Sequence, residues 1–487
     1  MTDVFVAGDG TGSSSNPSLY KQYRRPKVPM DKEEIQRLNR PFTFWGKFVL
    51  VIFFLAYLFI IWEFTARGGQ WYLLGGLMFF YLLVKKGTAL LYSPNKAELT
   101  KDYKVTALIT SYNEKPESVV SILENLLALD YRLDEVILVD DGSNAILPFE
   151  VAQSFAADHQ GVDMPKFQIV RLDENQGKLE ALKEGFRRAG GDYVFLVDSD
   201  CQIMPNALTE LLRPFEDGKT TSVVGNIGIL NAKESFLTRL QSLKYFGAFQ
   251  MGRAAQSMTG DVVICSGAFS LHKLDFIRDQ IDEIKPVKAF GVTVSAGDDR
   301  TITALSKSSG GKTRYQSTAY CKTEAPSTWK KFLAQRRRWQ RSAYVVSLVY
   351  AKRAFFKRPI YAFWTIGDAY FWLITTAIFA FAVFNRGFFF DLRDIVIYFV
   401  AVSAAQAGFY MLYRPARFLL APVFSLVYGV FLALVRLYTA LTIRNDSWGT
   451  RTVELSVVDD EVATVPAAEW ARQHCPAGSD VRKGLPA

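Results

Sequence analysis

Two carboxylates in an Asp-x-Asp arrangement follow an apolar stretch in the charged central part of the chain. Asp198 and Asp200 come directly after Tyr193–Val197, which reads as a buried strand. Two carboxylates at this spacing can together hold a hard divalent cation, Mn²⁺ or Mg²⁺, which would bridge to a diphosphate. Asp-x-Asp strings are common, so the position after a buried strand is what makes this pair a candidate metal site.

A second acidic pair, Asp140-Asp141, follows the strand-like stretch Glu135–Val139 in the same way. Carboxylates at the C-terminal end of a parallel strand face the ligand crevice of such a sheet. The alternative is an ordinary turn, because Asp and the following Gly142 favour turns for local reasons. The residues alone leave both interpretations open.

A third acidic cluster, Gly297-Asp298-Asp299-Arg300, follows later in the chain. A carboxylate here could act as a general base that takes the proton of an acceptor hydroxyl. The alternative is a helix N-cap, because Thr301–Leu305 is typical of a helix.

The basic string Gln335-Arg336-Arg337-Arg338-Trp339 places Gln335, Arg338 and Trp339 on one face of a helix. An arginine there can neutralise a leaving diphosphate, and a tryptophan can stack on a sugar ring. The alternative is a basic helix on the cytoplasmic face of a membrane. A nucleic-acid site is disfavoured, because a further apolar segment begins soon afterwards.

The elements that must position these groups alternate between β-branched runs and helical stretches. This alternation predicts a parallel α/β sheet between residues 101 and 325. The predicted strands are Val105–Thr110, Glu135–Val139, Phe167–Arg171 and Tyr193–Val197, and the predicted helices are Ser118–Leu129 and Lys178–Ala189.

Apolar runs flank this region on both sides. Phe44–Phe64 and Trp71–Tyr92 are each long enough to cross a bilayer core, which takes about 20 apolar residues. The short link between them predicts a helical hairpin. Basic residues before the first run and Lys85-Lys86 within the second place both ends of the hairpin in the cytoplasm. Further apolar runs follow at Ile360–Phe384, Ile395–Leu412 and Phe418–Ile443.

Three sequence features indicate how these segments are placed relative to the membrane. Pro422 and Arg436 interrupt the last run, which is interpreted as broken or re-entrant. Asp368 lies within an apolar run, and an intramembrane carboxylate indicates a bundle interior or a polar channel. The amphipathic segment Ser235–Met258 is either a helix packed on the core or an interfacial helix under the membrane.

Composition excludes several other classes of protein. Hydrophobic residues make up 49% of the 487 residues and aromatic residues 14%, which excludes a disordered chain. The net charge of +9 suits an anionic substrate or an anionic membrane face. Three histidines without ligand spacing argue against a histidine-based zinc site and against a Ser-His-Asp hydrolase. Four cysteines without a CxxC pair argue against a disulfide framework.

The order Asp-Asp, Asp-x-Asp, Gly-Asp-Asp and Gln-x-x-Arg-Trp between apolar segments resembles the processive family 2 β-glycosyltransferases. These are the hyaluronan, chitin, cellulose and capsular polysaccharide synthases. The resemblance covers roughly residues 40–452, and Trp-Gly-Thr-Arg at 448–451 is similar to hyaluronan synthases and the type 3 capsule synthase. The sequence at 265–269 departs from the Gly-Gly-Pro-Leu type loop of hyaluronan synthases. UDP-GlcNAc, UDP-glucuronic acid and UDP-glucose therefore remain alternative substrates.

The resemblance implies a GT-A catalytic domain with a Rossmann-like mixed α/β sheet, inserted between transmembrane and interfacial helices of an integral membrane protein. Together with the apolar runs it predicts the organisation of the chain. The predicted parts are a disordered cytoplasmic tail at 1–40, two transmembrane helices at 41–95, the catalytic domain at 101–325, an amphipathic interfacial helix at 326–358, transmembrane or re-entrant helices at 359–445, and a gating segment with a polar tail at 446–487.

The resemblance also implies a role for each candidate site residue. Asp299, with Asp298 beside it, would supply the general base, and Asp200 with Asp198 would hold Mn²⁺ or Mg²⁺. The nucleotide sugar would be bound by Tyr112, Glu114, Asp140, Asp141, Lys178, Asp198, Arg338, Trp448 and Arg451. The acceptor would be bound by Cys265, Ser266, Gly267, Gln335 and Trp339.

The implied activity is processive transfer of sugars from UDP with inversion at the anomeric carbon, followed by translocation of the polysaccharide across the membrane. The implied partners are a UDP-sugar, the growing polysaccharide, the lipid bilayer and accessory export proteins, but not nucleic acid. The implied location is the plasma (inner) membrane, with several crossings and a cytoplasmic catalytic domain. Two alternatives are a non-processive transferase that adds one sugar to a lipid carrier and a transporter or binding protein without catalysis.

Overall fold

The structure is a computed structural model that describes residues 3–6, 18–24, 51, 55, 80–81, 84–289, 291–294, 297–370, 373, 420, 423–424, 427, 431–444, 454–455 and 463–464. Trp448, Arg451, the run Ile395–Leu412 and most of Phe44–Phe64 lie outside these residues. None of the helices within the described ranges is long and apolar enough to cross a membrane.

Nine strands of the described residues form one mixed sheet in the order β1-β4-β3-β2-β5-β8-β7-β11-β6. In chain order these strands are β1 Asp3–Val6, β2 Val105–Ser111, β3 Glu135–Asp140, β4 Lys166–Arg171, β5 Tyr193–Asp198, β6 Gln202–Ile203, β7 Thr220–Ile229, β8 Phe269–Lys273 and β11 Lys312–Thr323. Two small hairpins add β9 Val287–Ala289 with β10 Val292–Val294, and β12 Glu454–Leu455 with β13 Ala463–Thr464.

The helices, also in chain order, lie between and after these strands. They are α1 Pro116–Leu127, α2 Leu147–Asp158, α3 Lys178–Arg188, α4 Ala207–Leu212, α5 Phe236–Phe246, a π-helix Gly247–Arg253, α6 Ala254–Thr259, α7 Asp275–Asp279, α8 Asp298–Ser308, α9 Trp329–Ala354 and α10 Leu432–Leu441. Short 3₁₀ turns form at Leu19–Tyr23, Arg213–Asp217 and Ile281–Glu283.

All four strands predicted from sequence are confirmed, and they form the parallel centre β4-β3-β2-β5 of the sheet. Their side chains alternate between two buried clusters: Ala107 and Ile109 of β2 belong to one cluster, and Leu108 belongs to the other. Helices cover both faces, so the strands read as continuous apolar runs rather than as alternating ones. The two predicted helices are confirmed as α1 and α3, with ends that differ by one or two residues.

The sheet is mixed because β8 runs antiparallel between β5 and β7. The long strand β11 then pairs parallel with β7 and antiparallel with the short β6. This second half positions the loop before β8 and the helix α8 beside the ends of the parallel strands.

The segment with two interpretations, Ser235–Met258, contains α5, the π-helix and most of α6. Ser235 caps α5 by accepting a hydrogen bond from the backbone N–H of Thr238 at 3.1 Å. Leu240 and Leu243 are fully buried in the main core. The core-packed alternative therefore holds for the inner face of this segment.

The N-terminal tail corrects one prediction. Asp3–Val6 pairs antiparallel with β4, and the 3₁₀ turn Leu19–Tyr23 packs on α1 and α2. Tyr20 is 2% exposed, and its hydroxyl donates to Asp158 at 2.7 Å. The prediction of a disordered tail is therefore wrong for these two segments, because a buried aromatic ring and strand pairing hold them on the catalytic domain.

Candidate active site

The ends of the parallel strands bring the first two acidic motifs to one edge of the sheet. Ser111 of β2 is paired with Asp140 of β3, and Thr110 is paired with Asp198 of β5. The loop that carries Tyr112 and Glu114, both half-buried, follows β2 directly. The strand register thus places the proposed nucleotide residues side by side, as the strand-end argument predicts.

The loops after β2 and β3 are bonded to each other. The backbone N–H of Asn113 donates to the Ser143 hydroxyl at 2.8 Å, and that of Asn144 donates to the Asn113 side chain at 2.9 Å. Asn113 has a φ of 51°, a left-handed conformation that asparagine tolerates better than most residues. In a sequence, an asparagine beside a strand end is a usable signal for such a turn.

Asp140 and Asp141 have different surroundings. Asp140 is 1% exposed; it accepts a hydrogen bond from the Ser143 backbone at 3.1 Å, and a guanidinium nitrogen of Arg171 lies 3.6 Å away. Burial raises the pKa of Asp140, while Ser143 and Arg171 act in the opposite direction. Asp140 therefore orders the loop, in keeping with the turn alternative.

Asp141 instead joins the β3 loop to the start of α3. One of its carboxylate oxygens accepts from the Gln176 backbone at 2.8 Å. Burial raises the pKa of Asp141 to about 6, although the backbone N–H groups of Gln176 and Gly177 lower it. Gly142, with a φ of 62°, lets the loop pass directly against the backbone of Glu174, where a Cβ would overlap.

Lys178 links the strand ends to the Gly-Asp-Asp motif. Its ammonium lies 2.6 Å from an Asp198 oxygen. Burial alone would lower the pKa of Lys178, but Asp198, Asp298 and Asp299 raise it above the ordinary value. A lysine that stays charged beside these carboxylates can also meet the phosphates of a nucleotide.

Asp200 lies after the turn that follows β5. The Thr323 hydroxyl of β11 donates to Asp200 at 3.1 Å. In the part of the chain that the structure describes, no group of three or more His, Cys, Asp or Glu side chains is placed to hold a metal. Mg²⁺ in nucleotide sites commonly uses one or two carboxylates together with substrate phosphates and water. Asp198 and Asp200, which carry hard oxygen ligands, fit such a cation.

Asp298 and Asp299 form the first turn of α8. The N-cap is Gly297, with a φ of 106°, so the N-cap alternative for the cluster at 297–300 holds for its glycine, and the two aspartates follow in the first turn. Gly297 is required because a Cβ there would overlap the Ser342 hydroxyl of α9. Burial, followed by the charge of Asp298, raises the pKa of Asp299 to about 6. A carboxylate with this pKa is suited to general-base work near neutral pH.

The loop Gly260–Gly267, here called the acceptor loop after its predicted role, reaches Asp298 beside this carboxylate. A Cβ on Gly267 would lie 3.5 Å from an Asp298 carboxylate oxygen and 3.9 Å from the Lys178 ammonium. Cys265 is fully buried, and its backbone N–H donates to the Thr303 hydroxyl at 2.8 Å, while Ser266 is half-buried. Of the predicted acceptor residues of this loop, Gly267 lies beside Asp298, and Cys265 is bonded to α8 through Thr303.

The basic motif lies on the single long helix α9. Trp339 is 38% exposed and Arg338 is exposed, whereas the side-chain oxygen of Gln335 is buried and accepts no hydrogen bond from any described residue. The spacing argument for one helix face is confirmed by the unbroken helix.

Two cations near this motif were missed by sequence reasoning. Arg336 is 9% exposed and stacks on Phe332 and Trp339, with ring-centre distances of 5.0 and 4.7 Å; its Nε and Nη2 atoms make no hydrogen bond among the described residues. Burial, together with Arg436 and Arg336, lowers the pKa of Lys244 to about 7. In sequence these residues resemble the solvated side of amphipathic helices, so only packing could reveal them.

Asp368, predicted to lie in a bundle interior, is bonded from several segments. Its carboxylate accepts from the Tyr81 hydroxyl at 2.6 Å, from the Gln256 amide at 2.7 Å and from the Lys85 ammonium. The second apolar run, α6 and the helical residues 359–370 are therefore joined at one carboxylate, which fits the predicted polar interior.

Comparisons with known proteins identify the family of the chain. Residues 106–281 match the family described as glycosyl transferase family 2. A hyaluronan synthase of Streptococcus pyogenes serotype M1 is 35% identical over 410 residues, which cover 83% of this chain and 96% of that protein. An N-acetylglucosaminyltransferase of Mesorhizobium japonicum is 31% identical over 242 residues, which cover 49% of this chain and 56% of that protein.

A solved structure is also similar, that of the mannosyltransferase of Pyrobaculum calidifontis in complex with GDP-Man and Mn²⁺. Its TM-score is 0.48 and its sequence identity is 20%, and the match covers 76% of this chain and 98% of that chain. The sequence relationship, rather than this likeness, carries the assignment. The extended match to the streptococcal enzyme and the family match over the sheet together show that the chain belongs to the family 2 glycosyltransferases, as a processive polysaccharide synthase of the hyaluronan synthase type.

Proposed function

We propose that the chain polymerises UDP-sugars on the cytoplasmic face of the plasma membrane and moves the product across the bilayer, with Asp299 as the general base. The observation that carries the proposal is the position of Lys178: its ammonium lies 2.6 Å from Asp198 and beside the acceptor loop that meets Asp298. One cleft thus holds groups suited to a diphosphate and groups suited to an acceptor.

The donor half of the cleft would hold the nucleotide through Tyr112, Glu114 and Asp141, with Lys178 at the phosphates. Asp198 and Asp200 would bind Mn²⁺ or Mg²⁺, which would neutralise charge on the diphosphate as UDP leaves. Arg338 would add a second positive charge there. Trp448 and Arg451 would close over the bound nucleotide.

The chemical step needs no covalent intermediate. The Asp299 carboxylate takes the proton of the acceptor hydroxyl while that oxygen forms a bond to the anomeric carbon. The bond from this carbon to the UDP oxygen breaks on the opposite side, and UDP leaves with the electron pair. The raised pKa of Asp299 supports this role, because the base accepts a proton readily and is still ionised at neutral pH.

The acceptor half supports an acidic sugar in the product. Trp339 would stack on a sugar ring, and the unbonded Gln335 oxygen would accept from a sugar hydroxyl. Arg336 is buried and two of its nitrogens make no hydrogen bond among the described residues, and a buried cation is costly until an anion joins it. We therefore favour a product of the hyaluronan type, made from UDP-GlcNAc and UDP-glucuronic acid.

Membrane insertion is supported by exposed apolar side chains next to basic ones. Phe356 is 92% exposed and Phe355 53%, and the stretch from Lys352 to Arg358 contains four cations around them. Leu441 on α10 is 78% exposed. Apolar groups flanked by cations are typical of the membrane interface, and they accompany the apolar runs that predict several crossings.

The test is UDP release by the purified protein in detergent or lipid, with each UDP-sugar alone and with UDP-GlcNAc plus UDP-glucuronic acid, in Mn²⁺ or Mg²⁺. Product size is measured on a gel. We expect sustained release and a long product only with the sugar pair. A long product from a single sugar would contradict the hyaluronan-type product. A product extended by one sugar would favour transfer to a lipid carrier and contradict processive synthesis.

A further inference from the structure

The helix that carries the proposed base is fastened to the acceptor loop along one face. Asp299, Thr303 and Lys307 follow each other at intervals of four residues on α8, so they lie on the same side of the helix. Thr303 and Lys307 each contact the acceptor loop, at opposite ends of it. The side of α8 that carries the base is therefore also the side that contacts the acceptor loop.

Thr303 uses its hydroxyl in two directions. The hydroxyl donates to the backbone carbonyl of Asp299 at 2.6 Å and accepts from the backbone N–H of Cys265 at 2.8 Å. Thr303 is fully buried, so water does not compete for these bonds. A single side chain thus connects the backbone of the base to the backbone of the acceptor loop.

Lys307 holds the other end of the loop. Its ammonium lies 2.6 Å from an Asp261 carboxylate oxygen and donates to the Gly260 carbonyl at 2.8 Å. The two side chains are 3% and 9% exposed. Removing one partner of a buried ion pair leaves an uncompensated charge, so this contact strongly favours one position of the loop.

The rest of the loop has a fixed course between these contacts. The Thr313 hydroxyl of β11 donates to the Val262 carbonyl at 2.9 Å, and the Val263 backbone donates to the Gln256 side chain at 3.2 Å. At its far end, Gly267 lies against the Asp298 carboxylate. A shift of α8 relative to the loop would therefore disturb the base and the acceptor site together.

We propose that Thr303, Lys307 and Asp261 are positioning residues, which hold the acceptor loop and α8 as one unit and so keep the distance from the Asp299 carboxylate to the acceptor hydroxyl constant from one addition to the next. This rests on the proposed function, in which Asp299 is the base and the loop contacts the acceptor. A displacement of about 1 Å between reacting groups can cost about 100-fold in rate, which is why such a brace matters in a polymerase.

The first test compares Thr303→Val, which keeps the volume but removes both hydrogen bonds, with Thr303→Ser, which keeps the hydroxyl. Ser306→Ala is the matched control: Ser306 is buried on the same helix, but its hydroxyl bonds to Thr221 and Ser222 on β7. We expect Thr303→Val to lower kcat about tenfold or more, with the UDP Kd and the KM for the UDP-sugar unchanged. Thr303→Ser restores kcat, and Ser306→Ala leaves it unchanged.

The second test removes the ion pair without leaving a lone charge, through the double variant Asp261→Leu with Lys307→Met. We expect the double variant to fold, to bind UDP normally and to show a lower kcat and shorter polymers. Unchanged kcat and polymer length in both Thr303→Val and the double variant would overturn the inference, as would an equal kcat loss in Ser306→Ala. Full activity in Asp299→Asn would overturn the proposed function instead; an inactive Asp299→Asn with a fully active Thr303→Val would overturn only this inference.

Discussion

The two halves of the cleft differ in how their charges are paired. On the donor side, Asp140 lies near Arg171, Asp141 accepts a backbone N–H and Asp198 is bonded to Lys178. On the acceptor side, two nitrogens of Arg336 donate no hydrogen bond to any described residue. The donor side is thus organised before a ligand binds, whereas the acceptor side has a charge that no residue of the described ranges pairs.

This difference matches what each half has to bind. The nucleotide is the same in every cycle, so a preformed site costs least when the ligand arrives. The acceptor is a polysaccharide that must bind and then advance. Polar groups that have no partner within the protein are available to bind each new sugar unit in turn. Substitutions on the two sides should therefore have opposite effects on stability.

The largest effect is expected from the base that lies between the two halves. Asp299→Asn should lower kcat roughly 1000-fold, because general-base catalysis contributes about 10²–10⁴-fold, and UDP binding should remain. Calorimetric UDP titration and a UDP-release assay measure the two properties separately. Asp163→Asn, at a side chain that is 94% exposed, is the control. Substantial turnover in Asp299→Asn would contradict the assignment of Asp299 as the general base.

The donor side is tested by Lys178→Met. The loss of a charged hydrogen-bonding partner should weaken UDP binding by about 10- to 100-fold, because Asp198 then lies beside the phosphates without its cation. Lys183→Met is the matched control, since Lys183 lies on the same helix and bonds to Glu180 at 3.0 Å away from the cleft. Equal UDP affinity in both variants would contradict a preformed donor site.

The pH dependence sharpens the assignment of the base. Burial and the charge of Asp298 both favour the protonated form of Asp299 and raise its pKa to about 6. Since the base must be ionised, kcat should fall about tenfold for each pH unit below that value. In Asp298→Asn the repulsion is removed, so the midpoint of this acid limb should move to lower pH. A midpoint that stays in place or rises would argue against Asp299 as the titrating group.

The smallest effect is expected from a substitution on the acceptor side, which should stabilise the folded protein. Arg336→Met should raise the free energy of unfolding by about 1 kcal/mol, because a buried cation without a partner is removed while the apolar contacts with Phe332 and Trp339 remain. Polymer length should fall in the same variant. Thermal unfolding and product gels measure both, with Lys330→Met as the exposed control; a destabilised Arg336→Met would show that this cation is paired after all.

The parallel strands and the acidic motifs at their ends could be predicted from sequence for one physical reason. A strand that is buried on both faces must be apolar throughout, so the first carboxylate after Val139 or Val197 marks the strand end and the ligand edge at once. Lys244 and Arg336 could not be predicted in this way. A cation on an amphipathic helix has the same local pattern whether it faces water, lipid or an unfilled site, and only tertiary packing distinguishes these.

The two docked tail segments show a similar limit. Tyr20 is an aromatic residue in a polar stretch, and its burial depends on Phe155 and His159, which lie more than a hundred positions later. The role of Gly297 as the cap of α8 depends on the approach of Ser342 from another helix. Contacts between segments that are distant in sequence leave no periodic signal, so composition predicted disorder at the tail, and the sequence did not indicate which residue of 297–300 caps α8.

The pairing of Asp3–Val6 with β4 has a consequence for handling the protein. Without this strand, β4 would be the outer strand of the sheet, with a row of free backbone N–H and C=O groups of the kind through which sheets of separate molecules join. The strand Asp3–Val6 therefore covers this edge of the sheet and limits such association. A variant that lacks Asp3–Val6 is expected to associate at concentrations where a chain that keeps this strand stays dispersed.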